Sequence, residues 1–300
     1  MRDDRAHRQR GRQRHRHPPK PYPDDREPNC RGSASTRGLA LGTTFISDVL
    51  LVRLKVEAPA TLQPQFLATH MALRSVAEAL TIAAAHHLDI EATELQAEYR
   101  PALTPHGNAG LEAEIYLYDT LAGGAGFTRR IHEAGLKVFE QALDLLEDCP
   151  AHCDASCYRC LRSYRNRFEH SFLDRHVGAS LLRYLLSGTL PAMHPDRLAR
   201  SQDRLYEDLK GLGIRGITVT RNPMVSIPGI GPVEAPILAE RGPQQWIIGV
   251  HGPLTRDVAP DAKLQEAKEF STSIPVLLID DTEITHNLPS ASNRIIGALG

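Results

Sequence analysis

Hydrophobic and polar positions along this chain change character at Leu39. Before it, aliphatic side chains are almost missing. After it, apolar residues recur at the spacings of strands and helices. Asp48–Val56 is rich in β-branched and aliphatic residues and predicts a strand, broken by Pro59 and Pro64. Phe66–His87 carries Leu67, Met71, Leu73, Val76, Leu80 and Ala84 at helical spacing, the pattern of a long helix with one face on a core. Asp89–Arg100 predicts a strand with Ile90, Leu95 and Tyr99 as its apolar members, and Pro101–Gly110 a loop. A further strand is expected over Ala113–Asp119, then a glycine turn, then a helix over Phe127–Cys149. Ser171-Phe-Leu-Asp174 has the form of a capping box. It opens a helix with Val177, Leu181, Leu182, Leu185 and Leu186 inward, ended by Gly188 and Pro191.

Composition sharpens the boundary at the amino-terminal end. Arg2, Arg5, Arg8, Arg10, Arg12, Arg14 and Arg16 alternate with His7, His15 and His17, and Pro18, Pro19, Pro21 and Pro23 follow. Such a tract cannot bury a core, so residues 1–38 are expected to be a disordered basic, proline-rich arm. It reads either as an arm touching phosphate or as an unselected extension. The chain as a whole has a formal net charge of −1, so any nucleic-acid surface must be local. No secretory signal and no apolar run of membrane-spanning length is evident, which predicts a cytoplasmic protein with no membrane partner.

Four of the five cysteines fall in one twelve-residue stretch: Cys149, Cys153, Cys157 and Cys160, spaced C-x3-C-x3-C-x2-C. Thiolates are soft ligands, and four of them suit tetrahedral Zn2+. A C-x2-C pair turns both sulfurs toward one ion, while each C-x3-C would span about one helical turn. Two disulfides would need an oxidising compartment. An iron–sulfur cluster uses the same ligand type. His152 or His170 can replace one sulfur, and Cys30, out in the arm, is expected to lie apart.

Two neighbouring stretches invite contact with anions. The turn around Gly123, Gly124 and Gly126 joins a strand to a helix N-terminus, where free N–H groups converge. It lacks the Gly-Lys-Ser/Thr of a Walker A loop, and the competing reading is a turn that needs positive φ. Beyond the cysteines, Arg159, Arg162, Arg165 and Arg167 alternate with Tyr158 and Tyr164. That pattern fits a phosphate backbone or a solvated helix face.

Leu117-Tyr-Asp119, the Gly-Gly-Ala-Gly turn, the four cysteines, Cys157-Tyr-Arg-Cys-Leu-Arg-Ser-Tyr-Arg-Asn166 and Leu173-Asp-Arg175 together carry a family resemblance. The stretch Leu39–Leu190 resembles the zinc-binding domain at the C-terminus of mitomycin-repair-type superfamily 2 DNA helicases. It also resembles the helicase-associated B component of DISARM anti-phage systems. The resemblance implies a four-thiolate zinc site at Cys149, Cys153, Cys157 and Cys160. It also implies work beside a DNA helicase in antiviral defence or DNA repair. The chain has no Walker A lysine, so the motor would be a partner or a separate piece of a longer protein.

The remaining residues, 193–300, lie outside that resemblance. Arg197–Leu212 reads as a helix; Gly216–Arg221, Val233–Glu240 and Gln245–Val250 as strands; Pro260–Thr272 as a helix; and Pro275–Asp280 as a buried strand. This order is similar to a restriction-endonuclease-like core. Such nucleases hold Mg2+ with an acid on one strand and Glu-x-Lys on the next. Here the third strand reads Trp246-Ile-Ile-Gly-Val-His251, and Glu234, Glu240, Asp257 and the Asp280-Asp281 pair leave the set incomplete. The expected fold class is therefore α/β (α+β): a helicase-associated four-cysteine zinc domain over 39–192, then a smaller α/β domain over 193–300 resembling a degenerate endonuclease core. The expected function is a zinc-binding accessory protein working with a DNA helicase, without catalysis of its own. The alternatives are a metal-dependent nuclease and a stand-alone nucleic-acid-binding module.

Overall fold

The computed structural model describes residues 19–24, 27–29, 42, 44–101, 110–190 and 192–299. In the arm, expected to be disordered, β1 (Pro19–Asp24) and β2 (Glu27–Asn29) pair as a short antiparallel ladder. Prolines at every second position remove the donors from one edge of β1 and leave the other edge free to pair. Cys30 lies outside the described residues. Phe45–Gly300 is a separate compact unit.

That unit is built on α1 (Leu67–Leu88). One face of α1 lies on the antiparallel sheet of β3 (Val49–Lys55), β5 (Glu112–Asp119) and β4 (Leu95–Pro101), in that order, with β5 central. The other face meets α3 (Leu136–Glu147) and α4 (Arg175–Ser187). Covered on both sides, α1 needs apolar or small residues nearly all round, and Met71, Leu73, Val76 and Leu80 are each at most 1% exposed. Each such side chain contributes about 1.5–3 kcal/mol. Small residues set the closeness of the crossing: a methyl on Gly178 of α4 would lie 2.9 Å from Ser75 Cβ.

Several expected elements differ in detail. The strand expected from Asp89 begins only at Leu95, because Asp89 takes left-handed φ/ψ as the C-cap of α1 and a 3-10 turn, Ala92–Glu94, follows. The helix expected over Phe127–Cys149 is two helices, α2 (Phe127–Ala134) and α3. Gly135 breaks it with φ 59° and ψ −134°, a conformation open mainly to glycine. The cap of α4 is Asp174 rather than Ser171: its carboxylate accepts the N–H groups of His176 and Val177, while Ser171 sits in the 3-10 turn Arg167–Phe172.

In the second half, α5 (Pro195–Gly211) precedes a four-stranded sheet ordered β11 (Val276–Asp280), β10 (Gln244–His251), β9 (Ile237–Arg241), β6 (Thr218–Arg221). Only β10 and β11 are parallel, joined through α6 (Ala262–Phe270). The strand expected over Val233–Glu240 is two, because Ala235-Pro236 interrupts it. Its first part, β8 (Gly231–Glu234), pairs with an unanticipated β7 (Met224–Ile227). Two further unanticipated helices, α7 (Asp281–His286) and α8 (Leu288–Ala298), follow β11. The chain is thus mixed α/β; a restriction-endonuclease-like core is not confirmed.

The two halves meet through buried charge. Arg197 of α5 donates from Nη1 and Nη2 to the two oxygens of Asp174, at 3.1 and 2.9 Å, and from Nε to Asp281 at 2.6 Å. Both carboxylates are fully buried. Leu254, from the loop after β10, inserts into the apolar cluster of the first half.

Candidate metal centre

The cysteines sit between the end of α3 and the start of α4. Cys149 follows the last turn of α3, and the next seventeen residues form turns and bends rather than helix. The C-x3-C spans are therefore not helical turns: His152 takes φ 46°, and its N–H bonds back to the Cys149 carbonyl at 2.8 Å. Arg175 organises this loop. Its guanidinium donates to the carbonyls of Leu146 and Glu147 at 2.9 Å, filling acceptors left open at the end of α3, and to the Cys153 carbonyl at 2.8 Å. Its backbone N–H meets the Ala155 carbonyl at 2.7 Å.

The four sulfurs converge. Cys149 Sγ lies 3.6 Å from both Cys153 Sγ and Cys157 Sγ; Cys160 Sγ lies 3.7 Å from Cys153 Sγ and 3.8 Å from Cys157 Sγ. Zinc–sulfur bonds of about 2.3 Å directed to a tetrahedron give edges of about 3.8 Å. Disulfides would place pairs at about 2.05 Å, and all four thiols are free. The donor set and its spacing thus fit tetrahedral Zn2+. Backbone donors also suit thiolates: the Cys157 N–H points to Cys160 Sγ at 3.2 Å and the Arg159 N–H to Cys157 Sγ at 3.3 Å. Burial pushes the Cys153 and Cys160 thiols up. Cys149, though burial opposes it, is held down to about 6 by the N–H groups of Cys153 and Ala151. Among the described residues no histidine joins the group. His170 instead bonds through Nε2 to the Ser163 carbonyl and Asn166 Oδ1, each at 3.0 Å.

The segment after the site is not the helix face expected. Residues 161–166 form a knuckle held by buried Asn166. Its Oδ1 accepts the Ser163 N–H at 2.8 Å, and its Nδ2 donates to the Leu161 carbonyl at 2.8 Å and to Glu78 of α1 at 3.0 Å. Arg162 turns inward to Ser156 Oγ at 2.9 Å. Arg159 is exposed, Arg165 donates to the Ala92 carbonyl at 3.1 Å, and the Arg167 guanidinium lies 4.3 Å from the ring centres of both Tyr164 and Phe168. No carboxylate pairs with any of these four arginines among the described residues. Around them Tyr158, Tyr164 and Phe168 are 69, 75 and 80% exposed.

At the glycine turn the positive φ values are present: 93°, 78° and 77° at Gly123, Gly124 and Gly126. An anion already occupies it, supplied by the chain. Asp119, fully buried, accepts the N–H groups of Ala125, Phe127 and Thr128 at 2.7–3.2 Å. Gly123 and Gly124 donate to the Ile46 and Leu121 carbonyls. The expected phosphate contact there is filled from within. Of the acids considered for a nuclease, Glu234 is exposed, Glu240 accepts from Gln245, and Asp257 pairs with Arg256. They form no metal-holding group among the described residues.

Residues 76–161 match the MrfA Zn-binding domain. Val76 lies in the buried core of α1 and Leu161 just past the last cysteine, so the MrfA Zn-binding domain match takes in Asp119, the glycine turn and all four thiols. The chain is also 31% identical over 273 residues to the Druantia protein DruE of Escherichia coli strain UMEA 4076-1. That likeness takes in 88% of this chain, so it runs beyond residues 39–190 into the second half. The chain spans only 14% of DruE. Among solved structures, the DUF1998 helicase MrfA bound to DNA is similar over 39% of this chain and 14% of that one. The identity there is 18% and the TM-score 0.28. No helix among the described residues is long and apolar enough to cross a membrane.

Sequence reasoning missed what holds the MrfA-type site together. Asp119, Asn166, Asp174 and Arg175 were visible only as motif letters, and their partners lie far away in sequence. Phe168 and Phe172, exposed beside Tyr164, were also missed. The signal was an aromatic recurring every four residues, Tyr164-x3-Phe168-x3-Phe172, in a run with no apolar face.

Proposed function

We propose that this chain is a structural zinc module of a helicase-centred defence or repair machine, and that it contacts DNA beside the metal. Cys149, Cys153, Cys157 and Cys160 bind one Zn2+. Four thiolates fill the shell and leave no position for water, so the ion folds the loop rather than catalysing a reaction. Here the ion would lock α3 to α4 through the Arg175 contacts. The likeness to DruE and to the MrfA Zn-binding domain supports a place next to a DNA helicase, as a subunit or as part of a longer chain.

The observation that carries DNA contact is the Arg167 guanidinium against the exposed rings of Tyr164 and Phe168, with exposed Arg159 and Tyr158 and with Arg165 close in sequence. Exposed rings stack on unpaired bases, and arginines without carboxylate partners are free to meet phosphates. The test has two arms. Elemental analysis should give one zinc per chain; iron with visible absorbance, or no metal, refutes the site. Fluorescence anisotropy with a labelled single strand should show binding that falls with salt. Changing Arg159, Arg165 and Arg167 to Ala should reduce the salt slope by about 2, at about 0.7 per phosphate contact on single strands. An unchanged slope in a folded, zinc-loaded variant refutes the face.

A further inference from the structure

A second site lies away from the cysteines. A cleft of about 540 Å3 opens at the carboxyl ends of β10 and β11, lined by His251 and Asp280. These are the last residues of the two strands and register partners in the parallel ladder. Helix α6, which follows β10, packs in the apolar cluster on one face of the sheet. Helices α7 and α8, which follow β11, pack in the cluster on the other. Adjacent parallel strands whose connections leave to opposite faces open a crevice between their ends, and open α/β sheets take ligands there.

The groups in that crevice are poised for a cation. His251 is 6% exposed, and its Nδ1 lies 2.8 Å from the Gly252 carbonyl oxygen. A carbonyl only accepts, so Nδ1 carries a proton, and the neutral form of the ring would turn the Nε2 lone pair to a metal. Nε2 has no hydrogen bond among the described residues. It is not sealed from the cleft either, since the only buried side-chain nitrogen or oxygen without a hydrogen bond among the described residues is Arg74 Nε. Asp280 Oδ1 accepts the N–H of Thr282 at 2.7 Å and its hydroxyl, while its other oxygen takes no donor among the described residues. The two arginines that line the cleft are each paired with an acid that also lines it: Arg294 with Glu283 at 2.9 Å and Arg256 with Asp257 at 3.5 Å. Burial pushes the Asp280 carboxyl up to about 6, with His251 opposing the shift, which marks a carboxylate short of positive charge.

We infer that this cleft is a divalent-cation site in which His251 Nε2 and the free oxygen of Asp280 bind one ion of the Mn2+ type. An imidazole and a carboxylate together suit such an ion better than the zinc-selective thiolates do. Two protein ligands leave the remaining positions to water, and an anionic ligand such as a phosphate can displace that water. The site is thus open where the cysteine site is closed, and it does not depend on the zinc reading.

The test uses the full zinc-loaded chain and Mn2+ as the probe, because Mn2+ does not displace zinc from four thiolates. Electron paramagnetic resonance should show bound Mn2+ with 14N modulation from one imidazole. His251→Gln should abolish that modulation, and His251→Gln or Asp280→Asn should each weaken binding at least about tenfold. Millimolar Mn2+ should raise the melting temperature of the parent chain and leave both variants unmoved. Lack of 14N modulation in the parent chain, a readout that needs no variant to fold, overturns the inference. So does equal binding by the parent and a folded Asp280→Asn chain.

Discussion

Arg197→Met tests the buried charge that joins the two halves. The side chain is 10% exposed and makes three hydrogen bonds to two fully buried carboxylates. Burial works against the charge on Arg197, but Asp174 and Asp281 together hold its pKa well above the ordinary value. Asp174 lies well below the usual carboxylate range: burial alone would raise it, but Arg197 and the His286 hydrogen bond outweigh that. In the variant, Asp174 keeps the N–H groups of His176 and Val177 and the His286 Nε2 contact at 3.0 Å. Among the described residues Asp281 keeps only the Ser201 hydroxyl. Removing one partner of a buried ion pair costs about 3–5 kcal/mol, because the other charges stay buried. For a unit of this size that lowers Tm by about 6–20 °C. The pH dependence has a sign. A depressed folded pKa gives Asp174 stability that is full above its unfolded pKa and is lost as pH falls through the folded value. Without Arg197 that depression shrinks, so the gap between parent and variant should narrow between about pH 7 and about pH 3, nearly all of the change falling below about pH 4.5. Urea unfolding at both pH values measures it. A difference below about 1 kcal/mol at neutral pH with an unchanged m-value refutes the coupling. In a double-mutant cycle, Asp281→Asn should recover part of the loss.

Three further outcomes follow from the packing. Asp119→Ala leaves three N–H groups at the start of α2 without their acceptor and should cost about 1–3 kcal/mol by thermal melting, whereas Asp119→Asn should recover part of it. Gly178→Ala places a methyl 2.9 Å from Ser75 Cβ and 3.3 Å from Leu146 and should destabilise by about 1–3 kcal/mol, although alanine is the better helix former. Gly178→Ala should cost less in a Ser75→Gly background than in the parent, although Ser75→Gly itself removes the acceptor of the Asp174 N–H. Cys157→Ser should lower zinc content and raise amide exchange between Cys149 and Leu173, leaving β9–β11 protected; uniform loss of protection would refute a local role for the metal.

How much of this was legible depended on the range of each interaction. The long helix Leu67–Leu88 and strands Val49–Lys55, Glu112–Asp119 and Val276–Asp280 were readable because their apolar spacing is local. The cysteine group was readable because four soft ligands within twelve residues have few other uses. What failed was set by single residues that override a pattern: Gly135 splitting a helical run, Ala235-Pro236 splitting a strand, and Asp89 ending α1 in left-handed geometry. The Asp280 cap that starts α7 lay at a strand end, where acidity suggested chemistry before capping. The pairing of Arg197 with Asp174 and Asp281 crosses 23 and 84 positions, and no spacing rule reaches that far.

The motif residues that carry the sequence resemblance are mostly those the fold consumes. Asp119 satisfies the start of α2, Asn166 ties the knuckle to α1, Asp174 caps α4 and anchors Arg197, and Arg175 closes the end of α3 over the metal loop. Each is buried, and each makes its side-chain hydrogen bonds inside the molecule. A resemblance built on such residues reports the scaffold around the zinc and not what the scaffold touches. The side chains the fold does not use are different ones. Among the described residues Arg159 has no partner, Tyr164 and Phe168 lie open on either side of Arg167, and His251 Nε2 faces a cleft without a hydrogen bond. Holding exposed rings and unneutralised arginines together stabilises little. Their substitution should therefore leave melting unchanged while moving binding, the reverse of what Asp119 or Arg175 would do. A chain in which Tyr164→Ala and Phe168→Ala cost stability but not DNA affinity would place these rings among the scaffold residues and take the nucleic-acid face away.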